Sequence, residues 1–413
     1  MPYERKLSTV ERYYVSCDTD GTSAYSPCVN QVVIDGHGDI TEQTLRSAVS
    51  VASASNPGSR LMLEGHLGFS RWVAAFKTCR FTVIHDSKWD GCSDLNAGFL
   101  FNSLPVREGV TSEVVFIPKA KNRFFIIFRT HHGTMDGRGT QHFIQDVFRI
   151  LNNQKPLGEN SVINDIQLAT RVSKSKKSTA LINEVKPITN PVVVEGKAVN
   201  SRWLRKTIQG KHKGLLGKVA LEIARYGRSQ GCEDVRIQLP VDMRPHVDGI
   251  RSTANLTGGI VIDVHEDMTL DGWNSEIRSQ IAQKKEAEVP RFFKIIPFEL
   301  LDWIPLSVMK KSNQKLVNKR RISGRFRTSG IISNLGRLSL KDFTGGGFVA
   351  DRVFFIPPEF DTTALFVTLT GHENGIEFLM RIPDYLDGGQ LEDLMDSVLK
   401  QVYLHSEAPR KVS

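Results

Sequence analysis

Two strongly apolar runs, followed at once by a helical pattern, most constrain how this chain can fold. Residues 113–118 (EVVFIP) and 123–131 (RFFIIFRTH) flank a short polar connection, which predicts an antiparallel strand pair. From Gly139 the apolar spacing is helical, at Phe143, Ile144, Val147, Phe148 and Leu151. The stretch HHGTMDG, residues 131–137, therefore lies at a junction between a strand and a helix. Such junctions commonly present functional side chains on a rigid scaffold.

The remaining elements predict two halves of mixed α and β content. A β-run near residue 30 precedes a helix that Asp39 or Thr41 can cap. Residues 152–200 are poor in aromatics and predict a linker or crossover. A helix over 214–231 and strands over 235–245 and 255–264 follow. Near the end, Asn374 and Gly375 predict a hairpin, and an apolar stripe over 391–402 predicts a closing helix.

Composition excludes several classes of protein. The chain has 413 residues, 40% of them hydrophobic, which is long enough for two domains. Its five cysteines contain no C-x-x-C pair and indicate neither a disulfide framework nor a cysteine zinc site. The first residues lack the apolar segment of a signal peptide, so a cytoplasmic location is expected. The net charge of +9 favours anionic partners, but no nucleic-acid motif accompanies it.

The residues of HHGTMDG leave three interpretations of His132 open. It could ligate a metal together with Asp136, although neighbouring strand residues point to opposite faces and no further ligands stand near in sequence. It could be a packing residue, with Asp136 capping the next helix. It could also be a general base, because neutral imidazole accepts a proton near neutral pH.

The pattern H-H-x-x-x-D-G resembles the coenzyme A dependent acyltransferase superfamily. Its members include chloramphenicol acetyltransferase, polyketide-associated acyltransferases, alcohol acetyltransferases, wax ester synthases and the condensation domains of nonribosomal peptide synthetases. Four further stretches are similar to this superfamily: RKLSTVERYY, the segment leading to NPGSRL, LPVDMRPHVDGIRSTANLTGG and ISNLGRL. ISNLGRL departs from the DFGWG motif of plant BAHD acyltransferases, which disfavours that branch.

The resemblance implies a fold of the α/β (α+β) class. Two chloramphenicol acetyltransferase-like subdomains would form a V-shaped pseudo-dimer with a central tunnel. The implied N-terminal subdomain, with HHxxxDG, covers residues 1–170, a linker or crossover covers 171–200, and the C-terminal subdomain covers 201–413.

The resemblance also implies an acyltransferase or a free-standing condensation enzyme with His132 as the general base. Asp136 would be structural and pair with Arg244, while His131 would support the loop. Gly137 would let a phosphopantetheine arm pass.

For the oxyanion that forms during transfer, Ser333 and Asn334 are candidate donors. Their Ser-Asn-x-Gly stretch fits equally well a turn that only shapes the chain.

The implied donor is an acyl thioester, either acyl-CoA or an acyl group on a carrier protein, and the acceptor is a small alcohol or amine. No bound cofactor and no metal are expected, since the thioester is a co-substrate. The alternative is a catalytically silent protein of this fold that docks an acyl or peptidyl carrier protein or a ligand.

Two consecutive stretches, residues 291–309 and 310–327, can each be interpreted in more than one way. Residues 291–309 are apolar but interrupted by charges and prolines, which favours a buried helix and loop over a membrane span. The stretch could also line an acyl pocket or contact a membrane peripherally. Residues 310–327 hold eight basic residues and no acidic one, typical of a solvated face or a site for phosphates.

Overall fold

The computed structural model describes residues 3–17, 28–173, 183–191, 201–288, 298–358 and 362–404. Its strands are β1 (Glu4–Lys6), β2 (Val29–Gly38), β3 (Leu61–Glu64), β4 (Arg71–Ala74), β5 (Arg80–Val83), β6 (Ser112–Lys119), β7 (Arg123–His131), β8 (Ser201–Ile208), β9 (Val235–Asp242), β10 (Thr257–Val264), β11 (Gly330–Arg337), β12 (Phe348–Ile356), β13 (Phe366–His372) and β14 (Gly375–Pro383). Its α-helices are α1 (Thr9–Cys17), α2 (Glu42–Ser55), α3 (Gly137–Leu151), α4 (Asp165–Val172), α5 (Leu215–Ser229), α6 (Leu270–Ala282), α7 (Leu306–Ser323) and α8 (Gln390–Leu404).

The first half is built on a five-stranded sheet in the order β12-β2-β7-β6-β5. The predicted pair of apolar runs is confirmed as the antiparallel strands β6 and β7. Helices α2 and α3 cover one face, where Leu45 and Phe143 belong to the same buried cluster as Ile126. Thr41 caps α2 by accepting from the amide of Thr44, so Thr41 rather than Asp39 begins that helix.

The second half is built on a six-stranded sheet in the order β10-β9-β11-β13-β14-β8. The hairpin predicted at Asn374 and Gly375 joins β13 to β14 and is confirmed. Gly375 has a φ of +143°, a conformation that side chains rarely adopt. Helices α5 and α8 pack their apolar stripes on this sheet, and the closing helix is confirmed. The mixed α/β class predicted from the sequence is confirmed for both halves.

One strand from the second half completes the sheet of the first. Strand β12 leaves the second half and pairs antiparallel with β2, from Phe348 opposite Gly38 to Ile356 opposite Gln31. A Cβ on Gly36 would lie 2.4 Å from the Phe348 ring, so this glycine permits the close pairing. The chain between β11 and β12 passes the C-terminal end of α3, where Asn152 donates to the Thr344 carbonyl.

The predicted linker, residues 171–200, lies largely outside the described residues. Just before it, α4 packs Leu168 and Val172 against Met243 and Leu256 of the second half. Helix α4 thus belongs by contact to the second half, although it precedes the predicted linker in sequence. The subdomain limits themselves stay a prediction.

The apolar stretch 291–309 behaves differently from the expected buried helix and loop. Residues 291–297 lie outside the described residues. Beyond them, Leu300, Trp303 and Val308 are each about half exposed, so the expected burial is wrong for these side chains. In the part of the chain that the structure describes, no helix is both long and apolar enough to cross a membrane.

Helix α3 meets the second half at a position where only glycine fits. A Cβ on Gly139 would lie 2.0 Å from the carbonyl oxygen of Thr253, a backbone atom that cannot swing aside. We expect Gly139→Ala to lower the free energy of unfolding by about 1–3 kcal/mol because the two halves must separate locally. Chemical denaturation measures this. In the control Gly98→Ala, no atom lies within 4 Å of the new methyl, and equal losses in both variants would contradict the prediction.

Candidate active site

The HHGTMDG loop begins where β7 ends at His131. The His131 side chain is fully buried, and its Nδ1 accepts a hydrogen bond from the Gly133 amide at 3.0 Å. The Thr134 hydroxyl donates to the His131 carbonyl at 2.7 Å. These short local bonds bend the chain away from the strand direction, so His131 shapes the loop and the next residue turns toward a cavity.

Asp136 joins this loop to the second half of the molecule. Its Oδ1 accepts from the Gly139 amide at 2.7 Å, which caps α3. Its Oδ2 accepts from the Leu256 amide and the Thr257 hydroxyl, both at 2.8 Å. One side chain therefore both caps α3 and bonds to the second half.

Arg244 forms a bidentate ion pair with the same carboxylate through both Nη atoms of its guanidinium. Nη1 lies 3.1 Å from Oδ2 of Asp136, and Nη2 lies 3.0 Å from Oδ1. Burial acts to raise the pKa of Asp136, but Arg244 and the amide donors outweigh it and hold that pKa below its ordinary value. Arg244 in turn donates to the carbonyls of Ser252 and Ala254 and to Asp242, which keeps the second-half loop in place.

His132 lies on the wall of the cavity, and its Nδ1 lies close to two polar groups. Its Nδ1 lies 3.1 Å from the carbonyl oxygen of Met135 and 3.0 Å from Nδ2 of Asn30. Because a carbonyl can only accept, we assign the proton to Nδ1, so the acceptor lone pair is on Nε2. Asn30 Nδ2 donates to the same Met135 oxygen at 2.7 Å, and a carbonyl with two lone pairs takes both donors.

The surroundings of His132 favour its neutral form. Burial lowers the pKa of this imidazole, and the Met135 carbonyl and Asp136 offset only part of that effect. The ring packs against Tyr14 with centroids 4.5 Å apart. From the second half, Asn255 donates to the His132 carbonyl at 2.9 Å. A neutral, oriented imidazole at neutral pH is what proton abstraction requires.

The cavity beside His132 has a volume of about 860 Å³ and is lined by both halves. Tyr14, Asn30 and Gly137 line it from the first half, and β9, β10 and β11 line it from the second. A Cβ on Gly137 would meet Leu335 and Phe355 at 3.4–3.7 Å, so glycine widens the passage modestly at this point. Such a volume accommodates a small-molecule substrate.

Ser333 and Asn334 also line this cavity, from the middle of β11. The Asn334 side chain accepts from the Gly336 amide at 2.9 Å, which is the turn-forming role left open by the sequence. Asn334 lines a second cavity as well, of about 840 Å³, together with Lys211, His212 and Arg337. The two cavities therefore adjoin at Asn334, and the second carries basic side chains.

Several residues of the site carry no signal in the sequence. Asn30 is the second residue of β2, and Tyr14 lies on a helix far away in sequence. Asp165, at the start of α4, also lines the cavity, and burial and the nearby Glu11 raise the pKa of its carboxyl. Only tertiary structure brings these side chains to His132. Within the described ranges, no group of three or more His, Cys, Asp or Glu side chains could hold a metal ion.

The fold is shared with condensation domains of known structure. The first condensation domain of the CDA synthetase superposes with a TM-score of 0.67 at 13% identity, covering 97% of this chain and 95% of that one. The starter condensation domain of rhizomide synthetase, in a variant solved with C8-CoA, gives 0.66 at 13% identity over 100% and 98%. The condensation domain of the monacolin K polyketide synthase gives 0.64 at 11% identity over 98% of each.

These likenesses establish the two-subdomain, chloramphenicol acetyltransferase-like fold that the sequence motifs imply. At 11–14% identity they concern the fold and not the activity. No protein-family model matches the sequence, and no curated protein matches it.

The Asp136–Arg244 pair generates a stability prediction. We expect Arg244→Met to lower the free energy of unfolding by about 3–5 kcal/mol because it leaves the Asp136 carboxylate buried without its counter-ion. Adding Asp136→Asn should cost less than the sum of the two single changes, since no lone charge then remains. The measurement is denaturant unfolding of all four proteins. Arg46→Met, at an ion pair with Glu42 in which both side chains are 44% exposed, is the control and should cost about 1 kcal/mol or less.

The same pair predicts a pH dependence. The pKa of Asp136 is lower in the folded chain, so its contribution to stability is present above the ordinary aspartate value of about 3.9 and is lost as pH falls through the lower folded value. Asp136→Asn should lack this part of the acid destabilisation. If the free energy of unfolding of that variant falls with acidification as steeply as that of the wild type, this would argue against a charged Asp136.

Proposed function

We propose that this protein is an acyltransferase that moves an acyl group from a thioester to a hydroxyl or amine acceptor, with His132 as the general base. The observation that carries the proposal is the His132 ring itself. It lies on a cavity that both halves line, it is held through Nδ1 by the Met135 carbonyl, and burial keeps it neutral. The shared fold with condensation domains supports the same chemistry.

The proposed reaction needs only proton transfer and a carbonyl addition. Nε2 of His132 takes the proton from the acceptor hydroxyl or amine as that atom attacks the thioester carbonyl carbon. The tetrahedral intermediate then collapses, the carbon–sulfur bond breaks, and the thiolate takes the proton from the imidazolium. An ester or amide and a free thiol leave, and His132 is neutral again.

Ser333 is the stronger of the two candidates for stabilising the oxyanion. Both residues line the cavity, but the Asn334 side chain is exposed to solvent and is held in the turn through its oxygen, whereas Ser333 is partly buried. The Ser333 hydroxyl is a donor on a strand that is fixed on both sides by β9 and β13. Oriented donors on rigid elements are the usual way to stabilise such charge.

The charge of the second cavity supports a phosphate-bearing thioester as the donor. Lys211, His212 and Arg337 line it, and it reaches the His132 cavity at Asn334. Among the described residues that line this cavity Glu373 is the acidic one, and the charges of Lys211 and Arg337 together exceed its single negative charge. Coenzyme A and a phosphopantetheine arm both carry phosphate. One structural relative was solved with C8-CoA, which agrees with a donor of this class.

We expect His132→Ala to lower kcat/KM for acyl transfer from thioesters by about 10² to 10⁴ because a general base contributes a factor of that order. Mass spectrometry of an acyl-CoA and acyl-carrier-protein panel incubated with alcohols and amines identifies the product, and steady-state kinetics gives the ratio. His37→Ala is the control, since His37 lies at the surface and pairs with Asp351.

Two outcomes would oppose this proposal. If His132→Ala keeps the wild-type rate, His132 is not the base. If the wild-type protein transfers no acyl group but still binds a carrier protein, the catalytically silent docking protein becomes the better description.

A charge placed at Asn30 offers a test of what sets the pKa of His132. In Asn30→Asp a carboxylate would lie close to Nδ1, at the place where the amide nitrogen is now 3.0 Å away. The added negative charge should raise the pKa of His132, so the acid limb of the kcat/KM profile should move to higher pH. In the wild type that limb should lie below about 6.5, because burial lowers the pKa. A limb that stays in place in the folded variant would show that a charge at position 30 does not affect the pKa of His132, which would contradict the prediction.

A further inference from the structure

Large apolar side chains are exposed together where the chain enters α7. Trp303 is 52% exposed and Phe69 is 73% exposed, and their rings meet edge to face with centroids 5.4 Å apart. Leu300 and Val308 on either side of Trp303 are about half exposed as well. Scattered single apolar residues on a surface need no explanation, but a contiguous patch with aromatic rings marks a site of contact.

Buried contacts hold these rings in place. The Arg12 side chain, 1% exposed, donates to the Leu67 carbonyl at 2.8 Å and to the Ile304 carbonyl at 2.6 Å. It therefore ties the loop of Phe69 to the loop of Trp303. A Cβ on Gly68 would lie 3.0 Å from the indole of Trp303, so this glycine lets the indole lie over the chain. The two loops that carry Phe69 and Trp303 are consequently held in fixed positions.

Helix α7 extends this patch with a basic face. Lys311, Lys315 and Lys319 follow each other at intervals of four residues, so all three lie on one side of the helix, and all are exposed. Val308 and Ile322 lie on the same side at its two ends, and Ile322 is 88% exposed. The face spans roughly 21 Å at 1.5 Å per residue. The helix contains no acidic residue.

We propose that this surface docks the protein on an anionic membrane. We define the α7 surface as the apolar side chains Phe69, Leu300, Trp303, Val308 and Ile322 and the lysines Lys311, Lys315 and Lys319. Its aromatic and aliphatic groups enter the interfacial region of the bilayer, where tryptophan is favoured. Its lysines meet the lipid phosphates, each adding to the attraction of an anionic leaflet.

The same lysines could meet an acidic protein, but the apolar part favours lipid. Phe69, Trp303 and Ile322 stand out from a convex helix and two loops, and no cavity described above is lined by them. Insertion into a bilayer needs such protruding groups, whereas a protein partner generally buries its anchors in pockets. Of the nearby carboxylates, Asp302 is buried and bonded to Lys6 and Thr9, and Glu184 lies 3.7 Å from the Lys319 amine, so the three lysines together keep a net positive charge.

Membrane docking would place the candidate active site close to the bilayer. Helix α7 packs on α1, where Asn313 donates to the Ser16 hydroxyl at 2.7 Å. Tyr14 on the same α1 packs against His132. The docking surface and the cavity thus share one helix, although the docking inference does not depend on acyl transfer.

Tryptophan fluorescence tests this inference with an internal reporter. The chain has five tryptophans, and Trp72, Trp89, Trp203 and Trp273 are fully buried while Trp303 is half exposed. Adding vesicles of phosphatidylcholine with phosphatidylserine should shift the emission to shorter wavelength, and brominated lipid should quench it. Trp303→Phe should abolish both signals while the protein still co-sediments with the vesicles. An unchanged spectrum of the wild type at low ionic strength would overturn the inference.

Two triple variants with the same net charge distinguish the contribution of the α7 surface to membrane binding from the contribution of net charge. Changing Lys311, Lys315 and Lys319 together to Gln should lower the partition coefficient onto anionic vesicles by about 100-fold, on the usual contribution of a lysine near such a surface. The control changes the exposed Lys121, Lys341 and Lys400 to Gln and should bind as the wild type does.

Two results of that comparison would reject membrane docking. Equal losses in both triple variants would show that binding follows net charge only. A wild type that ignores vesicles but binds an acidic carrier protein through the α7 lysines would make the surface a protein docking site instead.

Discussion

The buried pair of Asp136 and Arg244 is the interaction on which the rest of the structure depends. Asp136 belongs to the first half and Arg244 to the second, and the carboxylate also accepts from Leu256 and Thr257 across the same boundary. Burying two charges is costly unless each is paired and hydrogen-bonded. Here both carboxylate oxygens have charged and neutral donors, so the pair joins the halves in one register instead of weakening the interface.

The position of His132 follows from that register. The histidine lies four residues before Asp136, its carbonyl accepts from Asn255 of the second half, and its ring faces a cavity lined by β9, β10 and β11. Strand β12 adds a second tie between the halves by completing the sheet that carries β2 and β7. The candidate site therefore exists only when the two halves are docked. Its geometry depends on contacts across the interface and not on either half alone.

Much of the local structure could be predicted because it depends on neighbours in sequence. Apolar periodicity and turn-forming residues predict three features: the strand pair β6 and β7, the hairpin at Asn374 and Gly375, and the closing helix. All three are present. By contrast, β12 lies in the second half of the sequence, and its crossing to β2 depends on long-range pairing. The burial expected near Trp303 is wrong because apolar composition does not state which side chains find partners.

The sequence by itself determined the strand-to-helix junction, its HHxxxDG residues and the superfamily that they resemble, since these are properties of short contiguous stretches. Only the tertiary structure decided that Asn30 and Tyr14 stand beside His132 and that Met135 holds its Nδ1. It also decided that Trp303 lies at the surface next to a lysine face. The physical reason is that burial, pKa and hydrogen-bond partners arise from contacts between distant segments, which packing sets and local periodicity does not encode.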